Sequence, residues 1–301
     1  MGRRYWQQLG LTLALVCVSL SARAGEMTCP TDPRGPAITP GLILPSVQGP
    51  SYGTMQYRDG SIGLAARQIA LTFDDGPDPE TTPRVLAILD RHCIKATFFL
   101  VGIYADMHPD LVRLIAAHGH TIGTHSDTHP NLRNLSQASA QREITRGFAA
   151  AEAALASAPP SDQARLAPFF RFPGLNDDKS LRRWLGARNI ATVSCDFGAD
   201  DWKQVNADQV YARALQNIDR LGRGILILHD TKRHTADMLA RLIVTLRARG
   251  YTFVQLQPTP DARLRAAEVP GALLPAVSKV AKEVTPTPLD AASLEPAHPL
   301  R

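Results

Sequence analysis

Asp74 and Asp75 stand side by side in "LTFDDGPDP" (71–79), where an apolar, β-branched run ends and Gly76-Pro77 begins. Asp, Gly and Pro are common turn formers, and a turn accounts for Gly76 and Pro77. It does not account for two acids in tandem, which repel each other and call for a cation or a shared proton. Further on, His125 and His129 in "THSDTHP" are four residues apart. On a helical turn that spacing brings both imidazoles to one side, as in many metal sites. A pair of surface or capping histidines would show the same spacing. With one carboxylate of the Asp pair, the two imidazoles make three protein ligands and leave positions open for water, the pattern of a catalytic metal site. One aspartate then binds the ion, and the other is free to act as a base.

These residues need a scaffold that brings several segment ends to one place. Runs at 68–73, 96–101, 120–125, 168–172, 191–195, 224–229 and 251–256 read as strands. Six stretches with apolar residues recurring at three and four lie between them and read as helices, with Gly119 and Gly250 stopping two of them. Such alternation implies an α/β fold with a largely parallel sheet and right-handed crossovers. Closed, it is a (β/α) barrel of fewer than eight units; open, it is a doubly wound sheet. No GxGxxG follows the first strand, so the dinucleotide-binding sheet loses its main support and an irregular barrel is favoured. Chemistry in parallel βα folds gathers at the C-terminal strand ends. Those ends carry Asp74 and Asp75, His125, Arg171, Asp196, and His229 with Asp230.

The flanks read differently. Residues 1–24 combine Arg3 and Arg4, an apolar run from Leu9 to Leu20, and Ala22-Arg23-Ala24, which together predict a secretory signal peptide. The run is too short to span a bilayer comfortably, so no membrane span is expected after cleavage. The segment holds three arginines and no acid, so the formal charge of +5 falls to +2 without it. No Lys/Arg cluster interleaved with aromatics remains, and nucleic acid is not an expected partner. Residues 25–66, rich in Pro and Gly, predict an extended N-terminal arm laid on a folded unit at 67–257. Residues 258–301, rich in Pro, Ala and Thr, predict a flexible tail. Cys29, Cys93 and Cys195 allow one disulfide or none.

In order and separation, "TFDDGPD", "HSDTH", "RFPG", "DFGADDW" and "LILHD" resemble the five motifs of the polysaccharide deacetylases (carbohydrate esterase family 4, the NodB homology domain), over roughly residues 67–257. The resemblance implies a distorted (β/α)7 barrel and metal-dependent hydrolysis of N-acetyl, sometimes O-acetyl, groups on polymeric sugars. Position by position, it implies Asp74 as the base, Asp75, His125 and His129 as metal ligands, and Arg171 as the residue that holds the base. It implies His229 as the general acid, with Leu228 and Trp202 on the substrate pocket. The ion is expected to be Zn2+, with Co2+, Ni2+ or Mn2+ admitted by the same mixed N/O set. The third motif usually reads Arg-x-Pro-Tyr; here Gly174 keeps the backbone N–H expected to meet an oxyanion but lacks the ring.

A general acid must begin protonated, so His229 needs a carboxylate partner. Asp196 and Asp201 both qualify, and Asp196 is the expected one because it ends the neighbouring strand. Taken singly, Arg171 also reads as a partner for a helix end and Trp202 as a core residue. His92, His118, His120 and His234 carry no motif support and read as surface or core residues. The expected function is removal of acetyl groups from an N-acetylated polysaccharide (peptidoglycan, chitin-like or poly-N-acetylglucosamine) by an exported, periplasmic or secreted enzyme. The alternatives are an O-acetyl esterase of xylan-like sugars or a cyclic amide hydrolase on the same fold, and a carbohydrate-binding relic without catalysis.

Overall fold

The computed structural model describes residues 39–260. The expected signal peptide, residues 25–38 of the arm and residues 261–301 of the tail lie outside the described residues. The arm contributes β1 (Gly41–Leu44) and β2 (Ser51–Tyr52). Then follow β3 (Gln68–Asp74), α1 (Thr82–Arg91), β4 (Thr97–Leu100), α2 (Gly102–Met107), α3 (Pro109–Ala117) and β5 (Thr121–Thr124). The middle of the chain forms α4 (Gln137–Leu155), α5 (Pro160–Gln163), β6 (Leu166–Phe170), α6 (Lys179–Gly186), β7 (Ala191–Val193) and β8 (Phe197–Gly198). The last elements are α7 (Ala207–Leu221), β9 (Gly224–His229), α8 (Arg233–Ala248) and β10 (Thr252–Pro258). The strands and helices expected from the apolar periodicity are all present; the short β1, β2, β8, α2 and α5 are additions.

The result is an α/β fold built on a parallel sheet that curves into a (β/α)7-barrel-like form. Its centre is β3, which pairs along its length with β9, and near its end with β4. From there the ladder runs through β5 and β6 to β7. The barrel is irregular because β7 and β8 do not pair with each other: β8 pairs with β9, and β7 with β2 of the arm. The arm was expected to lie on the domain; its described part is instead built into the sheet, with β1 pairing β10 and β2 pairing β7. At the gap, Ser194 N–H donates to the Tyr52 carbonyl (2.8 Å) and Met55 N–H to the Cys195 carbonyl (3.1 Å). The folded unit therefore begins well before residue 67.

Successive strand residues face opposite sides of a sheet, and here the two sides form two apolar layers. Ile69, Leu71 and Phe73 of β3 pack outward with Leu226 and Leu228 of β9 against the helices. Ala70 and Ile225 face the barrel interior with Phe99, Phe169 and Val193. Thr72 and Asp74 share the parity of Ala70, and Ile227 and His229 share that of Ile225, so these four point inward. This corrects the expectation for Leu228. It is fully buried among the outward-facing residues and offers no surface to a substrate, while its neighbour Ile227 packs against the interior layer. Leu228→Ala should therefore act as a core truncation, lowering unfolding free energy by about 2–5 kcal/mol. Urea denaturation measures this, and KM for any substrate should stay within experimental error of the parent protein.

Candidate active site

The β3–β9 register sets Asp74 beside His229, one strand spacing apart at the C-terminal ends. Asp74 is buried, and its Oδ1 accepts a 2.7 Å hydrogen bond from Nη1 of Arg171. Arg171, just past the end of β6, is fully buried. Its Nε donates to the Val193 carbonyl (2.9 Å), Nη2 to the Ser194 carbonyl (2.8 Å), and Nη1 also to Thr72 Oγ1 (2.9 Å). The guanidinium lies 4.1 Å from the centroid of the Phe99 ring, a cation–π contact. The arginine is thus an interior residue with a hydrogen-bond partner for each of its three guanidinium nitrogens, and it does not serve a helix end.

Asp75 follows at once with a positive φ of 74°. This turns the chain out of the strand, and its carboxylate still faces the same centre as that of Asp74. Nε2 of His125 lies 3.7 Å from Asp74 Oδ2 and 3.7 Å from Asp75 Oδ1, and Nε2 of His129 lies 3.3 Å from Asp75 Oδ1. The histidines reach the carboxylate without the helical turn expected for them. Ser126 and His129 both adopt positive φ (67° and 60°), and His129 N–H donates to Ser126 Oγ (3.0 Å). Glu143 of α4 holds the loop through Thr128 N–H (2.9 Å) and Oγ1 (3.1 Å).

One ligand atom from each of Asp75, His125 and His129 falls within 4.8 Å of the others. Two observations fit these residues to a divalent cation. Asp75 Oδ1 is buried without a hydrogen-bond partner. His125 Nδ1 donates to the Arg171 carbonyl (2.8 Å), which leaves the Nε2 lone pair free for an ion. Burial pushes His125 down to about 4, outweighing the nearby carboxylates, so its imidazole is neutral at neutral pH as a ligand must be. For Asp75, burial acts to raise the pKa, but the charges of His229, His125 and His129 bring it below the usual value.

His229 also borders the cluster, its Nε2 3.9 Å from Asp75 Oδ2. Its Nδ1 meets Asp201 Oδ1 at 2.8 Å, while Asp201 Oδ2 accepts from the His229 N–H (2.7 Å) and from Thr235 Oγ1 (2.7 Å). The Asp201 carbonyl accepts from His234 Nε2 (2.6 Å), which gives that histidine a place behind the site. Burial alone would lower the His229 pKa; the charge and hydrogen bond of Asp201, with Asp75 and Asp74, push it up to about 9.

Asp196 is not the partner of His229. Its Oδ1 accepts from Thr54 N–H (2.7 Å) and Oγ1 (2.6 Å), and its Oδ2 from Ile225 N–H (2.7 Å). It was expected to end a strand; β7 instead stops at Val193, and Asp196 stands just before β8, where it ties the arm to the start of β9, at the other end of that strand from His229. Because β8 and β9 run parallel, a residue just before β8 lies by the start of β9, and only the loop that follows β8 carries Asp201 to His229 at its end. Asp230 is also buried, its carboxylate accepting from Thr82 Oγ1, and burial pushes it up to about 7. It fills the space beside Gly76, where a Cβ would fall 2.3 Å from its Oδ2. Gly174, in the turn Pro173–Leu175, has a φ of 59° and is exposed. Trp202 is 53% exposed and therefore not a core residue, with Lys203 Nζ 5.0 Å from its ring centroid.

Residues 63–190 match the family described as polysaccharide deacetylase. A chitooligosaccharide deacetylase of Sinorhizobium fredii is 33% identical over 204 residues, spanning 63% of this chain and 90% of that protein. The chain belongs to the polysaccharide deacetylase family. A peptidoglycan-N-acetylglucosamine deacetylase of Bacillus cereus is 33% identical over 193 residues, 63% of this chain and 66% of the relative. Among solved structures, a peptidoglycan deacetylase of Bdellovibrio bacteriovorus superposes with a TM-score of 0.66 at 28% identity, covering 77% of this chain and 64% of that one. The chain thus spans slightly under two thirds of these last two deacetylases.

The two acidic residues near His229 are separable by experiment. In Asp201→Asn the His229 imidazole should titrate well below its parent value of about 9, read by NMR of the ring. Asp196→Ala should leave that titration in place and instead lower unfolding free energy by about 1–3 kcal/mol, because the donors of Thr54 and Ile225 lose their acceptor. Because the folded pKa is raised, the His229–Asp201 pair stabilises fully below the unfolded value of about 6.5. That contribution should fade as pH rises through about 9.

Proposed function

We propose that this protein hydrolyses N-acetyl groups of an N-acetylated polysaccharide and releases acetate. The observation that carries the reading is the presence of two differently equipped groups bordering one candidate metal centre. One is Asp74, ion-paired to Arg171. The other is His229, paired to Asp201. The family relatives named above supply the substrate class.

Asp75, His125 and His129 would hold a divalent ion, Zn2+ in this reading, which when bound supplies Lewis acidity toward the acetyl carbonyl and the attacking water. Asp74 takes the proton from that water as it adds to the carbonyl carbon. Its carboxylate is held against rotation by Arg171, which keeps the accepting Oδ2 turned toward the centre. The Gly174 N–H, on its exposed turn, is placed in this reading to donate to the developing oxyanion. His229 holds its proton at Nε2 through neutral pH and delivers it to the nitrogen as the carbon–nitrogen bond breaks. An amine is a poor leaving group and needs this proton more than an alkoxide does, so the raised His229 pKa favours amide over ester substrates. The exposed Trp202 ring offers a flat face to a pyranose. A relic that only bound sugar would have no use for the paired base and acid.

Export is part of the proposal. Cys93 is disulfide-bonded, which suits an oxidising compartment, and residues 1–24 have the pattern of a cleaved leader. Among the described residues no helix is long and apolar enough to cross a membrane.

The test is acetate release from chitooligosaccharide, peptidoglycan and acetylated xylan, before and after chelation and with each divalent ion restored. His125→Ala should lose both bound metal and turnover. Asp74→Asn should keep the metal and lose about 100- to 10,000-fold in kcat, because an amide cannot accept the proton. Equal metal loss in Asp74→Asn and Asp75→Asn would overturn the division of roles; release from acetylated xylan alone would move the substrate class to O-acetyl esters.

A further inference from the structure

The three residues of the candidate metal centre are not held equally. His125, with a side chain only 3% exposed, is fixed by burial and by the bond from its Nδ1 to the Arg171 carbonyl (2.8 Å). His129 has neither support. Its side chain is 38% exposed, and its Nδ1 makes no hydrogen bond among the described residues. A metal-binding imidazole is ordinarily oriented by a bond from its second ring nitrogen. The orientation of His129 must come instead from the backbone that carries the ring.

That backbone is held in an unfavourable conformation. Ser126 and His129 have positive φ, 67° and 60°, which residues other than glycine keep only where the surrounding structure over-determines it. Here α2 and α4 do so. The N–H groups of Gly102 and Ile103, at the start of α2, donate to the carbonyls of Ser126 and Asp127 (both 2.9 Å). On α4, Glu143, Arg146 and Gly147 stand at i, i+3 and i+4 and so share a face. Each meets a different residue of the loop. A Cβ at Gly147 would fall 2.6 Å from the Ser126 carbonyl oxygen, so glycine allows the helix its close approach. Arg146 Nε lies 2.7 Å from Asp127 Oδ2. Glu143 takes both donors of Thr128, the N–H at Oε2 (2.9 Å) and the hydroxyl at Oε1 (3.1 Å). Among the described residues, Glu143 is the one helix side chain bonded to Thr128, the residue that leads directly into His129.

We propose that Glu143 is a positioning residue of the metal centre. Through Thr128 it holds the backbone of His129, so that Nε2 already stands beside Asp75 Oδ1, 3.3 Å away, before an ion arrives. The inference rests on the metal-centre part of the reading above and deepens it. Glu143 acts here by hydrogen bonding and not by its charge. A glutamine in its place retains an acceptor for the Thr128 N–H. The threonine hydroxyl, which both donates and accepts, can then take the amide N–H in place of giving its own.

The test measures Zn2+ binding to the metal-free full chain by competition with a chromophoric chelator. Each variant is compared at a temperature where circular dichroism shows its metal-free form folded. Glu143→Ala should weaken Zn2+ binding about 10- to 100-fold, the usual consequence of removing an outer partner of a metal ligand. Glu143→Gln should bind close to the parent. Thr128→Val, which keeps the N–H but not the hydroxyl, should fall between, and should add nothing in the Glu143→Ala background, since the two side chains share one interaction. Thr128→Val also carries the test if Glu143→Ala does not fold: an unchanged Kd there would overturn the inference. So would a lowered Tm with an unchanged Kd in Glu143→Ala, which would make the residue purely structural. Equal losses in the glutamine and alanine variants would overturn it too, by making the effect one of charge. A parent protein that binds Zn2+ but releases no acetate would overturn the deacetylase reading and leave this assignment standing; one that binds no divalent ion would overturn both.

Discussion

The site depends on a single interior guanidinium. Arg171 is fully buried and satisfies its donors with two backbone carbonyls, a threonine hydroxyl and the Asp74 carboxylate. Its own carbonyl accepts from His125 Nδ1. One residue therefore fixes the orientation of the proposed base through its side chain and the tautomer of a proposed metal ligand through its backbone. A charge removed from water is tolerated only where its partners are complete, and taking away one member of such a pair costs about 3–5 kcal/mol. The arrangement is rigid for that reason: Asp74 cannot rotate toward solvent without abandoning the guanidinium. Stability and catalytic geometry are here the same set of bonds.

Those bonds also explain why the arm belongs to the domain. The two carbonyls that receive Arg171, on Val193 and Ser194, lie at the end of β7, where the ladder to β8 is interrupted. An open strand edge at that point would leave the segment carrying the acceptors free to drift. β2 closes the edge, Ser194 N–H donates to Tyr52, and Asp196 clamps Thr54 to β9. A segment that reads as Pro- and Gly-rich packing thus seals the barrel.

Much of this was legible in the sequence, and the failures have particular causes. The alternation of apolar runs gave the barrel strands, since a buried parallel strand needs little beyond a short β-branched run between turn formers. The clustering of ionisable residues at strand ends located the centre. Leu228 was misplaced because motif adjacency ignores strand parity, which sends it outward and Ile227 inward. Asp196 was misassigned because proximity in sequence to a strand end says nothing about which end of the neighbouring strand it meets; the loop from β8 to α7 delivers Asp201 instead. The strands of the arm were missed because two- and four-residue strands carry no periodic signal. The convergence of His125 and His129 was anticipated for the wrong reason, since left-handed residues and not a helical turn produce it.

The tandem acids can now be understood from backbone geometry. In a continued strand, Asp75 would point away from Asp74, toward the outward layer that holds Phe73. A carboxylate there would be buried against apolar side chains with no partner. The positive φ at Asp75 breaks the alternation at the one residue where both carboxylates are wanted on the same side. Gly76 permits the tight turn that follows, because the Asp230 carboxylate occupies the space a side chain would need. Their mutual repulsion is then divided between separate neighbours: Arg171 for Asp74, and the protonated His229 for Asp75. Two identical side chains one residue apart acquire different chemistry because the chain turns between them. The first stays on the rigid strand, held by a cation of the protein, and the second is presented with one buried oxygen still unpartnered. An added cation is what that oxygen lacks, which is why the pair reads as a base beside a ligand and not as two bases.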